Sequence, residues 1–159
     1  MTLFFLSLIV LVTTTVQGCC PDGWIRHSDS CYMFVATKAT WLRAAQMCSE
    51  RGAVLVAIET AAENTFIRDY LRMFAGLGAD IPTWIGGTDA QVEGVWRWSP
   101  SGNRLTYVDW DLSEPAGCPT CGDCLIIWPG YNYHWGDYPC YHKKSFMCER
   151  RVPNGNIIG

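Results

Sequence analysis

Carboxylates at Asp89, Glu93, Glu114, Asp123 and Asp137, together with an aromatic run from Trp128 to Tyr138, are the groups in this 159-residue sequence best suited to bind a ligand. The run reads Trp128-Pro129-Gly130-Tyr131-Asn132-Tyr133-His134-Trp135-Gly136-Asp137-Tyr138. Ring faces supply an apolar wall, and carboxylates or amides beside them hydrogen-bond hydroxyls, the mixture expected of a small-ligand site. Tyr131, Tyr133 and His134 are expected to be exposed for that purpose, with Trp128 and Trp135 in the core because tryptophan is mostly buried. Clustered carboxylates also suit a hard cation, which needs about 6 to 8 oxygen ligands. Catalytic machinery is not visible: the histidines are His27, His134 and His142, and no His-Glu-x-x-His, Gly-x-Ser-x-Gly or glycine-rich phosphate loop occurs.

These groups must act in a particular compartment. Leu3 to Val12 is an apolar run that ends in Thr13-Thr14-Thr15-Val16-Gln17-Gly18, which predicts a signal peptide over residues 1–18 and a mature chain starting at Cys19. The run is too short for a bilayer-spanning helix of about 20 residues, and no later stretch is longer, so the reading is a secreted, extracellular protein without membrane insertion. Nine cysteines in an exported chain of this length indicate a disulfide framework. Nine is odd, so one thiol needs a partner outside the chain or stays free. The net charge of -3 and the lack of any stripe of Lys and Arg argue against a nucleic-acid partner.

The elements that must position the site read as one α+β domain over residues 19–152, followed by a short tail over 153–159. Pro21-Asp22-Gly23 is turn chemistry between Cys20 and Cys31, which predicts a stapled N-terminal hairpin, with a strand from Cys31 to Thr37. After Thr40, the positions Trp41, Ala44, Ala45 and Cys48 lie on one helical face, and Gly52 ends that helix. Thr60-Ala61-Ala62-Glu63 has capping-box spacing and opens a second helix with a stripe of Phe66, Ile67, Tyr70, Leu71 and Phe74. Thr83 to Gly87, Val95 to Trp98, Thr106 to Trp110, Cys124 to Trp128 and Ser145 to Cys148 then read as short strands separated by Gly, Pro, Asn and Asp.

In order and spacing, Cys20, Cys31, Cys48, Trp84-Ile85-Gly86-Gly87, Glu93-Gly94, Trp96, Trp110, Glu114-Pro115, Cys124, Trp135, Asp137, Cys140 and Phe146-Met147-Cys148-Glu149 resemble the C-type lectin domain in its long form. The resemblance covers essentially the whole mature chain. It implies two helices against antiparallel sheets with a long ligand-binding loop region, and the pairings Cys20–Cys31, Cys48–Cys148 and Cys124–Cys140. Cys118 and Cys121 stand close enough to bridge across a tight turn; the competing reading is a redox or zinc Cys-x-x-Cys. Cys19 is left over, as an intermolecular disulfide making a homo- or heterodimer, or as a capped or free thiol. In such a scaffold Glu114 and Asp137 are not expected to serve as a glycosidase carboxylate pair.

The resemblance also implies glycan recognition, of the kind that serves pattern recognition or agglutination, in which a bound Ca²⁺ contacts the sugar directly. Position by position, the primary calcium site keeps Glu114 and Asp137, while Ala116, Gly122 and Gly136 stand where oxygen-bearing side chains belong. Such a site should hold Ca²⁺ poorly. Asp89, Glu93 and Asp123 match an auxiliary calcium position, although Gly117 and Gly122 do not. Glu63 and Glu149 match the position of a distant structural ion, against which Glu63 has the simpler reading of a helix cap. The expected sugar contacts are therefore Glu114, Pro115, Ala116, Tyr131, Tyr133, His134 and Asp137, acting without calcium. The alternative is a binder of protein or mineral surfaces built on the same scaffold.

Overall fold

Cys-Leu-Ile-Ile-Trp, residues Cys124–Trp128, contains no charged or hydroxyl group, and a strand of that kind must be covered on both faces. The computed structural model describes residues 20–75, 81–117 and 122–152, and there it is covered so. The signal peptide, Cys19, the Cys118–Cys121 bridge and the tail expected from the sequence lie outside the described residues. No helix among the described residues is long and apolar enough to cross a membrane.

The strands are β1 (Ile25–His27), β2 (Ser30–Ala39), β3 (Val54–Leu55), β4 (Thr83–Thr88), β5 (Arg97–Trp98), β6 (Cys124–Trp128), β7 (His134–Tyr138) and β8 (Lys144–Arg151). The helices are α1 (Trp41–Ser49) and α2 (Ala61–Ala75). The sheet runs β1-β2-β8-β4-β6-β7, with β3 also on β8 and β5 also on β4. The β4–β8 pairing is parallel and the others are antiparallel.

Alternation along the strands sends side chains to two cores. Trp84, Cys124, Ile126, Phe146 and Cys148 join Trp41, Ala44 and Cys48 of α1. Ile85, Leu125, Ile127 and Met147 join Ile67 and Leu71 of α2, with Trp98 and Trp135. Each fully buried Ile, Leu or Phe contributes roughly 1.5–3 kcal/mol by leaving water. Phe66, Tyr70 and Phe74, the outer part of the expected α2 stripe, are half-buried and stack with His27 and Phe34.

Helix starts follow local chemistry. Thr40 caps α1 by accepting the Arg43 N–H at 3.3 Å. Thr60 Oγ1 accepts the Glu63 N–H at 3.2 Å, whereas the Glu63 carboxylate reaches past Thr60 to the Glu59 N–H at 2.8 Å and also accepts the Tyr32 hydroxyl. Disulfides join Cys20 to Cys31, Cys48 to Cys148 and Cys124 to Cys140. The second ties α1 to β8 across 100 residues, a loop whose closure restricts the unfolded chain by about 4–5 kcal/mol.

Two strands expected from the sequence are corrected. Thr106 to Trp110 is a loop, touching β7 through the single bridge Trp110–Trp135, because Asp109 turns its carboxylate into α2 while its carbonyl accepts the Trp135 N–H at 2.8 Å. Val95 to Trp98 shortens to β5, since Gly94 has φ of 74° and the chain turns again where the Gly102 N–H meets the Trp98 carbonyl.

Candidate functional site

Strand β7 is the outer strand of the sheet, and its free edge is followed by the segment from Asp109 to Ala116. The Asp111 N–H donates to the Trp135 carbonyl at 2.9 Å, and the Glu114 N–H donates to the Asp111 carbonyl at 3.0 Å, which lays Glu114 beside Gly136 and Asp137. From the other side a single 3-10 turn, Pro129–Tyr131, ends in Asn132 and Tyr133, both with left-handed φ values of 50° and 64°. This reversal folds the Tyr131 ring back over Gly136.

Three of the expected sugar contacts therefore come together. The Tyr131 hydroxyl donates to Glu114 Oε1 at 2.9 Å, which together with burial raises the phenol pKa and keeps its proton in place. Asp137 is 9% exposed, and burial followed by the neighbouring Glu114 pushes its carboxyl up to about 6, against which a backbone N–H from Ala116 works. Glu114 Oε2 is buried and finds no donor among the described residues. Pro115, Ala116 and Gly117 are exposed at the rim.

The donor set does not fit a calcium ion at the primary position. A Cβ on Gly136 would lie 2.9 Å from the Tyr131 ring and 3.4 Å from the Glu114 carboxyl carbon, so the volume an asparagine ligand needs is filled. A Cβ on Gly122 would lie 2.2 Å from the Tyr138 carbonyl carbon, and this backbone approach leaves no path for a ligand side chain. The Tyr131 hydroxyl already donates into Glu114 Oε1.

At the auxiliary position, Asp89 is buried, with Oδ2 accepting the Gly94 N–H at 2.8 Å and Oδ1 without a partner. Its pKa is raised by burial, then by the charges of Asp123 and Asp137. Glu93 is raised by desolvation, then by Asp89, Asp123 and Asp137. These acids sense one another, yet among the described residues no three His, Cys, Asp or Glu side chains converge as metal ligands. Glu149 is buried and accepts the Ser30 hydroxyl at 2.7 Å and the Ala57 N–H at 3.3 Å.

Two expected contacts go elsewhere. Tyr133 is not exposed: it is 8% exposed in the α2 core, because its left-handed backbone turns the ring inward under the Arg72 guanidinium, 5.3 Å from the ring centre. His134 Nδ1 lies 2.9 Å from Asp109 Oδ1, and Asp109 Oδ2 accepts Arg68 at 2.9 Å and Asn64 at 2.7 Å. Asn64 Oδ1 in turn accepts the Trp135 indole N–H at 2.9 Å. Sequence reading missed Asn64, Arg68 and Asp109. The available signal was Asn64 itself, a polar residue at i−3 and i−7 from Ile67 and Leu71 on the buried stripe.

The fold and this site define a disulfide-stapled binding domain whose polar site is built by loops at one sheet edge. Residues 37–150 match the family model of the lectin C-type domain, and the chain belongs to that family. It is 34% identical over 140 residues to C-type lectin domain family 4 member E of Mus musculus, covering 85% of this chain and 62% of that protein, so it spans less than two thirds of that relative. Over 144 residues it is 30% identical to the galactose-specific lectin nattectin of Thalassophryne nattereri, covering 89% of this chain and 86% of nattectin. A solved calcium-independent type II antifreeze protein is similar at a TM-score of 0.73 and 27% identity, over 84% of this chain and 95% of that one. The scaffold thus carries both lectins and an antifreeze protein.

Proposed function

We propose that this protein is a secreted lectin that binds glycans directly, without calcium, through Glu114, Tyr131 and Asp137. The observation that carries this reading is the Tyr131–Glu114–Asp137 arrangement closed over Gly136. With its proton given to Glu114, the Tyr131 oxygen joins the carboxylates as an acceptor for vicinal sugar hydroxyls, and the exposed rim at Pro115 and Ala116 leaves the sugar room to enter. Export, an N-terminal signal peptide and a Cys19-linked dimer belong to the same proposal; a band that halves in mass on reduction checks the dimer. Kinship with nattectin, a galactose-specific lectin by name, supports a sugar ligand.

The deciding experiment is a glycan array read in calcium and in EDTA. Binding is expected to be equal in both and to fall at least tenfold in Glu114→Gln, the worth of one lost charge-assisted hydrogen bond. Complete loss in EDTA would restore a calcium mechanism. The likeness to the calcium-independent antifreeze protein favours a second reading, a binder of protein or crystal surfaces. Binding that free monosaccharides fail to compete, with no glycan retained on the array, would select it.

A further inference from the structure

The only lysines in the sequence are Lys38, Lys143 and Lys144; every other cation of fixed charge is an arginine. Lys38 lies far in sequence from the adjacent pair Lys143 and Lys144, and read linearly the chain shows no basic stripe. The register Ala39–Lys144 between β2 and β8 sets Lys38, the neighbour of Ala39, close enough for Lys144 to feel its charge, and Lys143 directly precedes Lys144 at the start of β8. None of them has a carboxylate partner: each ion pair among the described residues is made by an arginine or by His134. In a chain of net charge -3 this is an isolated group of unpaired cations.

The patch has an aromatic wall. The Lys144 ammonium sits 4.5 Å from the Trp128 ring centre and 4.6 Å from that of Tyr138. Those rings are themselves 5.2 Å apart, and the wall continues through His142 to Tyr141, which is 73% exposed. A cation drawn against two half-buried rings keeps its attraction for an anion in a less screened setting than open solvent. Burial and the neighbouring Lys38 both hold the Lys144 pKa below its ordinary value, as expected of an ammonium that lacks a counter-charge. The wall is continuous with the site already described, since Trp128 lies 6.2 Å from Tyr131, whose hydroxyl holds Glu114.

We propose that Trp128, Tyr138 and Lys144, flanked by Lys38 and Lys143, form a second subsite that takes an anionic sugar residue, so that the ligand is an acidic oligosaccharide running from Tyr131 onto this face. The reading rests on glycan binding at Glu114. The exposed Tyr141 ring, beyond the two rings that Lys144 covers, suits the apolar face of a pyranose, and the lysines suit a sulfate or carboxylate on it. The acids at the Tyr131 end reject an anion there, which gives the chain of sugars a direction.

Calorimetric titration of the whole protein with a κ-carrageenan hexasaccharide, its desulfated form, a galacturonate hexasaccharide and poly-glutamate tests this. The sulfated or the uronic sugar, or both, should bind at least tenfold tighter than the desulfated one, and the comparison of the two shows which anion is preferred. Lys144→Gln, and the exposed pair Lys38→Gln with Lys143→Gln, should bring the charged-to-neutral ratio close to one, while Lys144→Arg retains it. Equal affinity for charged and desulfated sugars, an undiminished ratio in both sets of variants, or equal binding of poly-glutamate would each overturn the proposal. Glu114→Gln lowering neither sugar would instead overturn the underlying glycan site, so the two readings fail separately.

Discussion

Strand β7 carries a polar cluster at each end, and the two settle their charges in opposite ways. At His134, Asp109 receives donors from Arg68, Asn64 and the imidazole, and Asn64 passes the connection on to Trp135 in the core. At Asp137, a second carboxyl, Glu114, lies beside it and accepts the Tyr131 hydroxyl, while a buried oxygen of Glu114 lacks a donor among the described residues. The first cluster satisfies its carboxylate entirely from within, leaving Arg68 Nε alone without an acceptor among the described residues, and ties α2, the Asp109 loop and β7 together. The second leaves a carboxylate oxygen of Glu114 without a donor, beneath a rim exposed at Pro115 and Ala116. A polar group inside a protein serves the fold when its partners are all internal, and serves binding when one partner is still to come.

Removing Asp109, the hub of the first cluster, should have the largest effect. Asp109→Ala leaves Arg68 and Asn64 without their acceptor in a setting where the Arg68 and Asp109 side chains are 16% and 17% exposed. Loss of one member of such a pair costs about 3 kcal/mol or more, measured as a lowered urea midpoint. If stability changes by less than about 1 kcal/mol, the contrast between the two ends fails.

At the other end, Gly136→Ala should cost about 1–2 kcal/mol by crowding Tyr131, and should release the hydroxyl from Glu114. The thermal midpoint and glycan affinity should fall together; retained affinity would show that the Tyr131–Glu114 contact is dispensable for binding.

The smallest expected effect is a pH slope. Asp137 titrates near 6 in the folded protein against an ordinary 3.8, so the folded state binds the extra proton between those values. The stability this proton confers is complete below the unfolded value and is lost as pH rises through about 6. Asp137→Asn should therefore flatten the change in thermal midpoint between pH 5 and pH 7, whereas an unaltered slope would assign it to another group.

Much of this architecture is readable in the sequence because it depends on short-range pattern. The continuous apolar run of β6, the capping residues Thr40 and Thr60 and the stripe through Ile67 and Leu71 each report their own surroundings. The blanks at Ala116, Gly122 and Gly136 already announce a weak calcium site. What fills them was not legible: that Tyr131 occupies the space over Gly136 depends on two left-handed residues after a 3-10 turn, at Asn132 and Tyr133, where glycine is the usual occupant. The same reversal buries Tyr133, which composition alone places at the surface. Thr106 to Trp110 looks like a strand because its residues favour one, but Asp109 gains more from three donors across the fold than from a ladder. The lysine patch escaped for a similar reason, since register and not spacing assembles it.

The position of β8 has a consequence for how the protein is made. This strand is among the last residues of the chain, yet it lies between β2 and β4, pairs also with β3 and carries Cys148, the partner of Cys48. Within the sheet β2 and β4 are joined only through it, and until it is made one core lacks Met147 and the other Phe146. A chain that stops short of residue 144 can form α1, α2 and the N-terminal hairpin but cannot close the sheet, and Cys48 has no native partner until residue 148 has been made.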